Sequence, residues 1–300
     1  MNIKEYQKNP LRIMYSLGIR GFLGFLDDES FAKVMYRCKF GRKLNLQKPQ
    51  FFNEKIQWLK LYDHNPEYIK LVDKYEVKKI VAKLIGEKYV IPTIGVWNSF
   101  DEIDFDLLPE SFVLKCTHDS GGIVICKDKN SFNYKAAEKK IKRSLSRNYY
   151  YVGREWPYKN ITPKIIAEPL IVDRAEKDLR DYKVFTFNGK PKMVQVDFDR
   201  FTNHRRNLYD TEWNYIPAEI YYSTDPNVII KKPEKLEELL VLSEKLSRDY
   251  PFVRVDFYIA NGEILFGELT FLHGSGFEEF RPQKFGLEVG NWLTLPNSKS

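Results

Sequence analysis

Two acidic residues, Asp256 and Glu268, flank the dipeptide Asn261-Gly262 at nearly equal separations, five residues before Asn261 and six after Gly262. An Asn-Gly pair between alternating apolar runs is a strong hairpin signal, so the two carboxylates can face each other across a strand pair. Carboxylates a few ångströms apart either share a proton or hold a hard cation, and Mg²⁺ takes one or two of them together with substrate phosphates. Strand acids also occur as solvent-side decoration, but the apolar neighbours Val255, Phe257, Leu265, Phe266 and Leu269 weigh against that here. Arg254 shares the side-chain parity of Asp256 and belongs on the same face.

Three further groups can do chemistry. Lys115 ends an apolar run and is followed by Ser120, Gly121 and Gly122. Backbone N–H groups free of side chains and a partly buried ammonium suit a phosphate, although a Gly-Gly turn between strands is more often only a hairpin. The spacing of a P-loop is absent. Glu168-Pro169-Leu170 puts an acid between an apolar strand and the proline that ends it; this is a plain strand end or a hinge offering backbone groups to a base and a carboxylate to a ribose. Finally, Arg200, His204, Arg205 and Arg206 crowd into one polar stretch. They are solvated loop charges or a grip for an anion, and no RNA-binding motif or helix-turn-helix accompanies them.

The elements that must position these residues follow from periodicity. Phe52, Ile56, Leu59 and Tyr62 recur at helical spacing, and a second helical run covers Tyr68 to Leu84, with Asn53 or Asp63 as caps. Short β-branched runs begin near Tyr89. A block of strand (111–116), loop, strand (123–127), helix (134–147) and strand (164–168) follows. The last third reads as two hairpins, 181–187 with 191–196 across Asn188-Gly189 and 253–259 with 264–269 across Asn261-Gly262, separated by a helix over 235–248.

The chain has 300 residues, 43% of them hydrophobic, and a net charge of +7 from 48 Lys and Arg against 41 Asp and Glu. That composition excludes disorder, collagen and a disulfide scaffold. Three scattered cysteines in no zinc spacing point to a reducing compartment without a structural metal. No stretch reaches the roughly 18 apolar residues of a bilayer span, and Arg20 interrupts the only signal-peptide candidate; the expected location is cytoplasmic. Residues 1–45 are basic, aromatic-rich and helical, with Gly18, Gly21 and Gly24 arguing against one rigid helix. They either cap the protein or lie peripherally on the inner face of an anionic membrane.

The order of these features carries a resemblance. Phe52-Asn-Glu-Lys-Ile-Gln-Trp-Leu-Lys-Leu-Tyr-Asp63, Asp73-Lys-Tyr75, Phe112-Val-Leu-Lys-Cys116, Asp181-Tyr-Lys183, Asn203-His-Arg-Arg206, Arg254-Val-Asp-Phe-Tyr258, Phe266-Gly-Glu-Leu-Thr-Phe271 and Gly274-Ser-Gly276 resemble the TupA-like ATP-grasp group, named for a teichuronopeptide-biosynthesis protein and associated with bacterial surface-polysaccharide clusters. The resemblance implies an α+β ATP-grasp fold, two lobes gripping ATP between antiparallel sheets, behind a helical N-terminal extension. It divides the chain into a helical region (1–70), a first lobe (71–111), a nucleotide lid (112–170) and a C-terminal part with the metal site (171–300). It assigns Lys74, Lys115, Asp181 and Lys183 to the nucleotide, the loop His118 to Gly122 to a lid over its phosphates, and Glu168, Pro169 and Leu170 to adenine and ribose. Asp256, Glu268 and Thr270 would hold Mg²⁺, Thr270 standing where the general pattern has Asn.

The implied activity is ATP-dependent ligation of a carboxylate to an amine through an acyl phosphate, with Arg254 stabilising the transferred phosphoryl group. The acceptor would be a uronic acid of a capsular or other surface polysaccharide, the nucleophile an amino acid or other amine, and Arg200, His204, Arg205 and Arg206 would grip the anion. A sugar phosphotransferase and a non-catalytic nucleotide-binding scaffold are the competing readings, and nucleic acid is not an expected partner.

Overall fold

The computed structural model describes residues 10–173, 179–199 and 203–297. Helices α1 (Pro10–Ile19) and α2 (Asp28–Phe40) fold back on each other, α2 starting where Asp27 accepts from Ser30 N at 2.8 Å and ending at Gly41 with φ 70°. Helices α3 (Phe52–Tyr62), α4 (Tyr68–Val72) and α5 (Glu76–Ile85) follow. Strands β1 (Gly95–Trp97), β2 (Phe112–Cys116) and β3 (Ile123–Cys126), helices α6 (Tyr134–Leu145) and α7 (Tyr150–Gly153), and strand β4 (Ile165–Pro169) make up the next block. Then come β5 (Asp181–Phe187), β6 (Lys190–Phe198), β7 (Arg205–Tyr209), β8 (Tyr215–Ile216) and β9 (Glu219–Ile220). Helix α8 (Leu236–Ser247), β10 (Phe252–Ala260), β11 (Glu263–Thr270), β12 (Phe280–Arg281) and α9 (Gln283–Trp292) complete the chain.

Among the described residues two large antiparallel sheets result, one ordered β1-β4-β2-β3 and the other β11-β10-β5-β6-β7-β8, with β9 and β12 forming a separate two-stranded pair. Both Asn-Gly hairpins form as their sequences require, with Asn188 and Asn261 at positive φ. In the first sheet Phe112, Leu114, Cys116, Ile165 and Ala167 pack with Ala137 and Ile141 of α6. In the second, α8 lies across β5, β6 and β10 and packs in turn on α5. Its core is aromatic: Phe52 of α3 sits 5.0 Å from the ring of Phe252, 5.5 Å from Phe280 and 5.9 Å from Phe187.

Several boundaries differ from those read in the sequence. The expected helix 68–84 is broken at Asp73, whose carboxylate leaves the helical run to accept from the N–H groups of Tyr75 and Glu76 and so starts α5. Asn53 and Asp63 cap nothing at an N-terminus. Glu54 Oε2 accepts from the N–H of Gln50 and Phe51 ahead of α3, Asn53 donates to the carbonyls of Gly276 and Glu278, and Asp63 stands at the helix's C-terminal end. The proposed division at 70/71 falls inside α4, and that at 111/112 separates β1 from β4, to which it is hydrogen-bonded. Helices α3 and α5 share the core of the six-stranded sheet, because their apolar faces have no other surface large enough to cover them.

Phe52→Ala removes a fully buried ring from this core and should destabilise the protein by about 3–5 kcal/mol. A urea midpoint equal to that of the unsubstituted protein would show that α3 is not part of the folding unit.

Candidate functional site

Alternation along the strands decides what faces the gap between the sheets. With 112, 114 and 116 turned to α6, β2 must turn Val113 and Lys115 the other way, and β4 likewise turns Glu168. Opposite them β5 presents Asp181 and Lys183, and β10 presents Arg254, Asp256 and Tyr258. These residues line a cavity of 740 Å³, with Pro169 and Leu170 at one wall and Lys74, Lys78 and Glu268 at another. A larger open groove of 1520 Å³ runs beside Trp58, Tyr62 and His64 and contains none of the candidate nucleotide or metal residues.

On the first sheet Glu168 is clamped between two ammonium groups, Lys78 Nζ and Lys115 Nζ, each at 2.5 Å. Burial alone would raise the pKa of Glu168, but the two cations more than offset it and hold the carboxyl below its ordinary value. Glu168 therefore orients Lys115, a different task from meeting a ribose. Lys74 enters through the break after Asp73: its backbone N–H bonds Thr117 O at 3.1 Å and its ammonium lies on Asp119 O and 3.8 Å from Glu268 Oε1. Lys78 escaped sequence reading because it resembled an ordinary solvated helix position; its spacing of four from Lys74 was the available signal.

The second sheet carries a chain of alternating charges. Arg254 grips Asp256 with Nε and Nη2, both at 2.6 Å, while Lys183 Nζ bridges Asp256 at 2.7 Å and Asp181 at 2.5 Å. Burial would raise the pKa of Asp256, yet Arg254 and Lys183 bring it below the usual carboxylate range. Arg254 Nη1 meets His273 Nδ1 at 2.9 Å, His273 Nε2 lies 3.1 Å from Glu278, and Arg206 joins Glu278 at 2.9 Å to Asp197 at 2.7 Å. Burial lowers the pKa of His273; a guanidinium can only donate, so Nδ1 accepts from Arg254 and the neutral ring carries its proton on Nε2.

Asp256 and Glu268 are direct cross-strand partners, but only through a β-bulge. From Ala260↔Glu263 back to Phe257↔Phe266 the ladder is regular, and continuing it would set Asp256 against Gly267. The extra residue shifts the pairing by one and turns Glu268 to the same face as Asp256. Gly267 tolerates this because a Cβ there would stand 3.1 Å from Asp256 O. Among the described residues no three His, Cys, Asp or Glu side chains gather to hold a metal by themselves. Two facing carboxylates nevertheless fit a hard cation that draws its remaining oxygens from phosphates. Thr270 pairs with Arg254 two residues further along the ladder and is not among the residues lining the cavity.

Other candidates are placed elsewhere. His118 is buried with Nε2 on the carbonyls of Ser144 and Arg147, pinned to the end of α6, and does not line the cavity. Asp119 ties the same loop down by accepting from Gly122 N at 2.9 Å and from Ser144 Oγ, and Ser120 donates to Tyr149 Oη at 2.9 Å, leaving Gly121 at the exposed tip. The loop is thus anchored at both ends instead of hanging free. Arg205 pairs with Asp225 at 3.0 Å, His204 stacks on Tyr222 at 3.8 Å, and Arg206 is buried in its two ion pairs. Carboxylates of the protein already pair with Arg205 and Arg206, so the two guanidinium groups do not form the open anion grip expected of them. Arg200 lies outside the described residues.

A buried cluster that sequence reading overlooked adjoins this network. Lys60 Nζ donates to Gly153 O at 2.8 Å and Ser275 O at 3.0 Å, and Ser275 Oγ donates to Glu155. Desolvation lowers Lys60 to about 7 and raises Glu155 to about 7. Gly274, Ser275 and Gly276 all take positive φ here, the Gly-Ser-Gly spacing being the signal.

The sequence model described as TupA-like ATPgrasp matches residues 54–294. The chain belongs to the TupA-like ATP-grasp family. Its fold is the ATP-grasp α+β fold expected from the sequence. Solved structures similar to it include the D-alanine–D-alanine ligase of Bacillus anthracis complexed with ATP, with 17% identity, TM-score 0.41, and coverage of 68% of this chain and 54% of that one. The N5-carboxyaminoimidazole synthetase of Staphylococcus aureus has 15% identity, TM-score 0.43 and coverage of 81% and 59%. The chain thus spans little more than half the length of these neighbours. No curated protein sequence matches it.

If the cavity takes ATP, Lys115→Ala should weaken nucleotide binding about tenfold, which lowers the ligand-induced stabilisation at saturating ATP by about 1.4 kcal/mol. An unchanged shift of Tm with ATP would refute a phosphate role for Lys115. A second expectation concerns acid. His273 has a folded pKa below its unfolded value near 6.5, so its contribution is complete above about 6.5 and is lost as pH falls through the folded value. Urea midpoints should drop between pH 7 and 5, and the drop should shrink in His273→Gln.

Proposed function

We propose that this TupA-like ATP-grasp protein is an ATP-dependent carboxylate–amine ligase that joins an amino acid or other amine to a uronic-acid carboxylate during bacterial surface-polysaccharide synthesis. The observation that carries the ATP-dependent part is the cavity between the sheets, with the Lys115–Glu168–Lys78 clamp on one wall and Arg254, Lys183 and the Asp256/Glu268 pair on the other. The choice of a uronic acid and a surface polysaccharide rests on the family alone.

In this reading Lys115 and Lys74 offer positive charge to the triphosphate, Glu168 holds the ammonium of Lys115 in place, and Pro169 with Leu170 covers the base. Asp256 and Glu268 would hold Mg²⁺, which neutralises phosphate charge when bound. The substrate carboxylate attacks the γ-phosphorus and ADP leaves, giving an acyl phosphate. The amine then adds to the acyl carbon, phosphate departs and the amine nitrogen loses a proton, leaving the amide. Arg254, with its guanidinium held permanently cationic by Asp256, faces the charge that builds on the transferred group. No protein nucleophile is needed, and catalysis rests on position and electrostatics.

One feature favours a second reading, a nucleotide-binding scaffold without turnover: Arg254 and Lys183 already engage both oxygens of Asp256. Products separate the possibilities. The deciding experiment screens ADP release over uronic acids crossed with amino acids and identifies the product by mass spectrometry. An amide with free phosphate supports the ligase, a phosphosugar would make the protein a phosphotransferase, and the absence of ADP would favour the scaffold. Glu268→Gln tests the cation role better than a change at Asp256, because Glu268 is partly exposed and its ion pair with Lys74 is long, at 3.8 Å, whereas Asp256 is buried between Arg254 and Lys183. It should cut turnover at least about 100-fold, or about 2.7 kcal/mol of barrier, while leaving the urea midpoint unchanged.

A further inference from the structure

The hairpin of α1 and α2 divides its apolar residues between two sides. Tyr15, Leu23 and Leu26 turn inward onto Phe31, Met35, Tyr36 and Phe277, and Gly18 is tight enough against Met35 that a Cβ would collide with its sulfur. The other set stays in solvent: Phe25 is 80% exposed, Phe22 66%, and Ile13, Met14, Leu17 and Ile19 between 39% and 44%. Ile13, Met14 and Leu17 share one helix face by their spacing. Phe22 and Phe25 lie exposed in the turn just beyond α1, where Gly21 takes φ 89°. Six large apolar side chains within thirteen residues are a concentration that a soluble surface rarely leaves uncovered.

Charge says what covers them. Residues 10–26 hold Arg12 and Arg20, both exposed, and no acid; over residues 1–48 there are ten Lys and Arg against four Asp and Glu, so this end holds most of the chain's net +7. A second copy docking through the same patch would bring like charges together, whereas an anionic surface complements them. No described helix is long and apolar enough to cross a membrane, and α1 has only ten residues. We propose that this face docks on the surface of an anionic phospholipid bilayer, Phe22 and Phe25 entering the headgroup layer and Arg12 and Arg20 meeting lipid phosphates. The proposal is independent of the ligase reading.

The test is cosedimentation of the full chain with vesicles of phosphatidylcholine alone or with about 30 mol% phosphatidylglycerol. The protein should pellet with the anionic vesicles. Binding should fall at least about tenfold for Phe22→Ser with Phe25→Ser, and comparably for Arg12→Glu with Arg20→Glu or in high salt. All four positions are exposed, and unchanged thermal unfolding verifies that the variants fold. The proposal is overturned if the protein stays in the supernatant, if both variants bind as well as the original, or if neutral and anionic vesicles bind it equally. Light scattering without lipid covers the remaining occupant: a dimer that the phenylalanine variant dissolves would assign the face to self-association instead.

Discussion

A buried carboxylate is tolerable only with its charge matched, and Asp256 is buried on β10, between β11 and β5 of the six-stranded sheet. Its partners come from its own strand and the next: Arg254 two residues back on the same face, and Lys183 directly opposite in the β5–β10 ladder. Neither can be exchanged without leaving a charge stranded, a change that costs about 3–5 kcal/mol. The requirement spreads outward. Arg254 needs His273, which needs Glu278, which shares Arg206 with Asp197. The loop after β11, the end of β6 and the start of β7 are thereby tied to one row of the sheet. The same row faces the cavity, so the polar residues that lend the site its chemistry also tie β5 to β10 in register.

The opposite wall solves the problem differently. Glu168 is nearly as buried as Asp256, but its two cations come from separate elements, Lys115 from β2 and Lys78 from α5. This clamp joins the four-stranded sheet to a helix whose apolar side belongs to the core of the other sheet. The cavity is therefore framed by two charged systems of opposite excess, two ammonium groups on one carboxylate in the clamp and carboxylates outnumbering cations in the row of the other sheet, with Lys74 and Glu268 standing between them.

Much of this was legible in the chain. Both Asn-Gly hairpins, the strand–loop–strand–helix–strand block and the helix before β10 are local features with local signals, and they form within two or three residues of where periodicity put them. Parity on β2 and β10 was enough to turn Lys115, Arg254 and Asp256 to one side. What sequence reading missed depends on contacts distant in the chain. The role of Lys78 requires knowledge of Glu168, ninety residues away. Arg205 and Arg206 looked like an anion grip because Asp225, Asp197 and Glu278 are not their neighbours in sequence. His118 was read as part of a lid, and only the packing of α6 over the loop discloses it as an anchor.

Arg154 gives the N-terminal hairpin a mechanical meaning. Its guanidinium reaches Asp28 at 3.1 Å and the carbonyl of Gly24 at 3.1 Å, while its chain neighbours Gly153 and Glu155 touch Lys60 and Ser275 beside the charged row. The side chain joins two parts of the molecule, and withdrawing the hairpin from it would take the Asp28 counter-charge away from a buried guanidinium. The hairpin is thus tied through one buried guanidinium to the segment beside the charged row, so that neither can shift without the other.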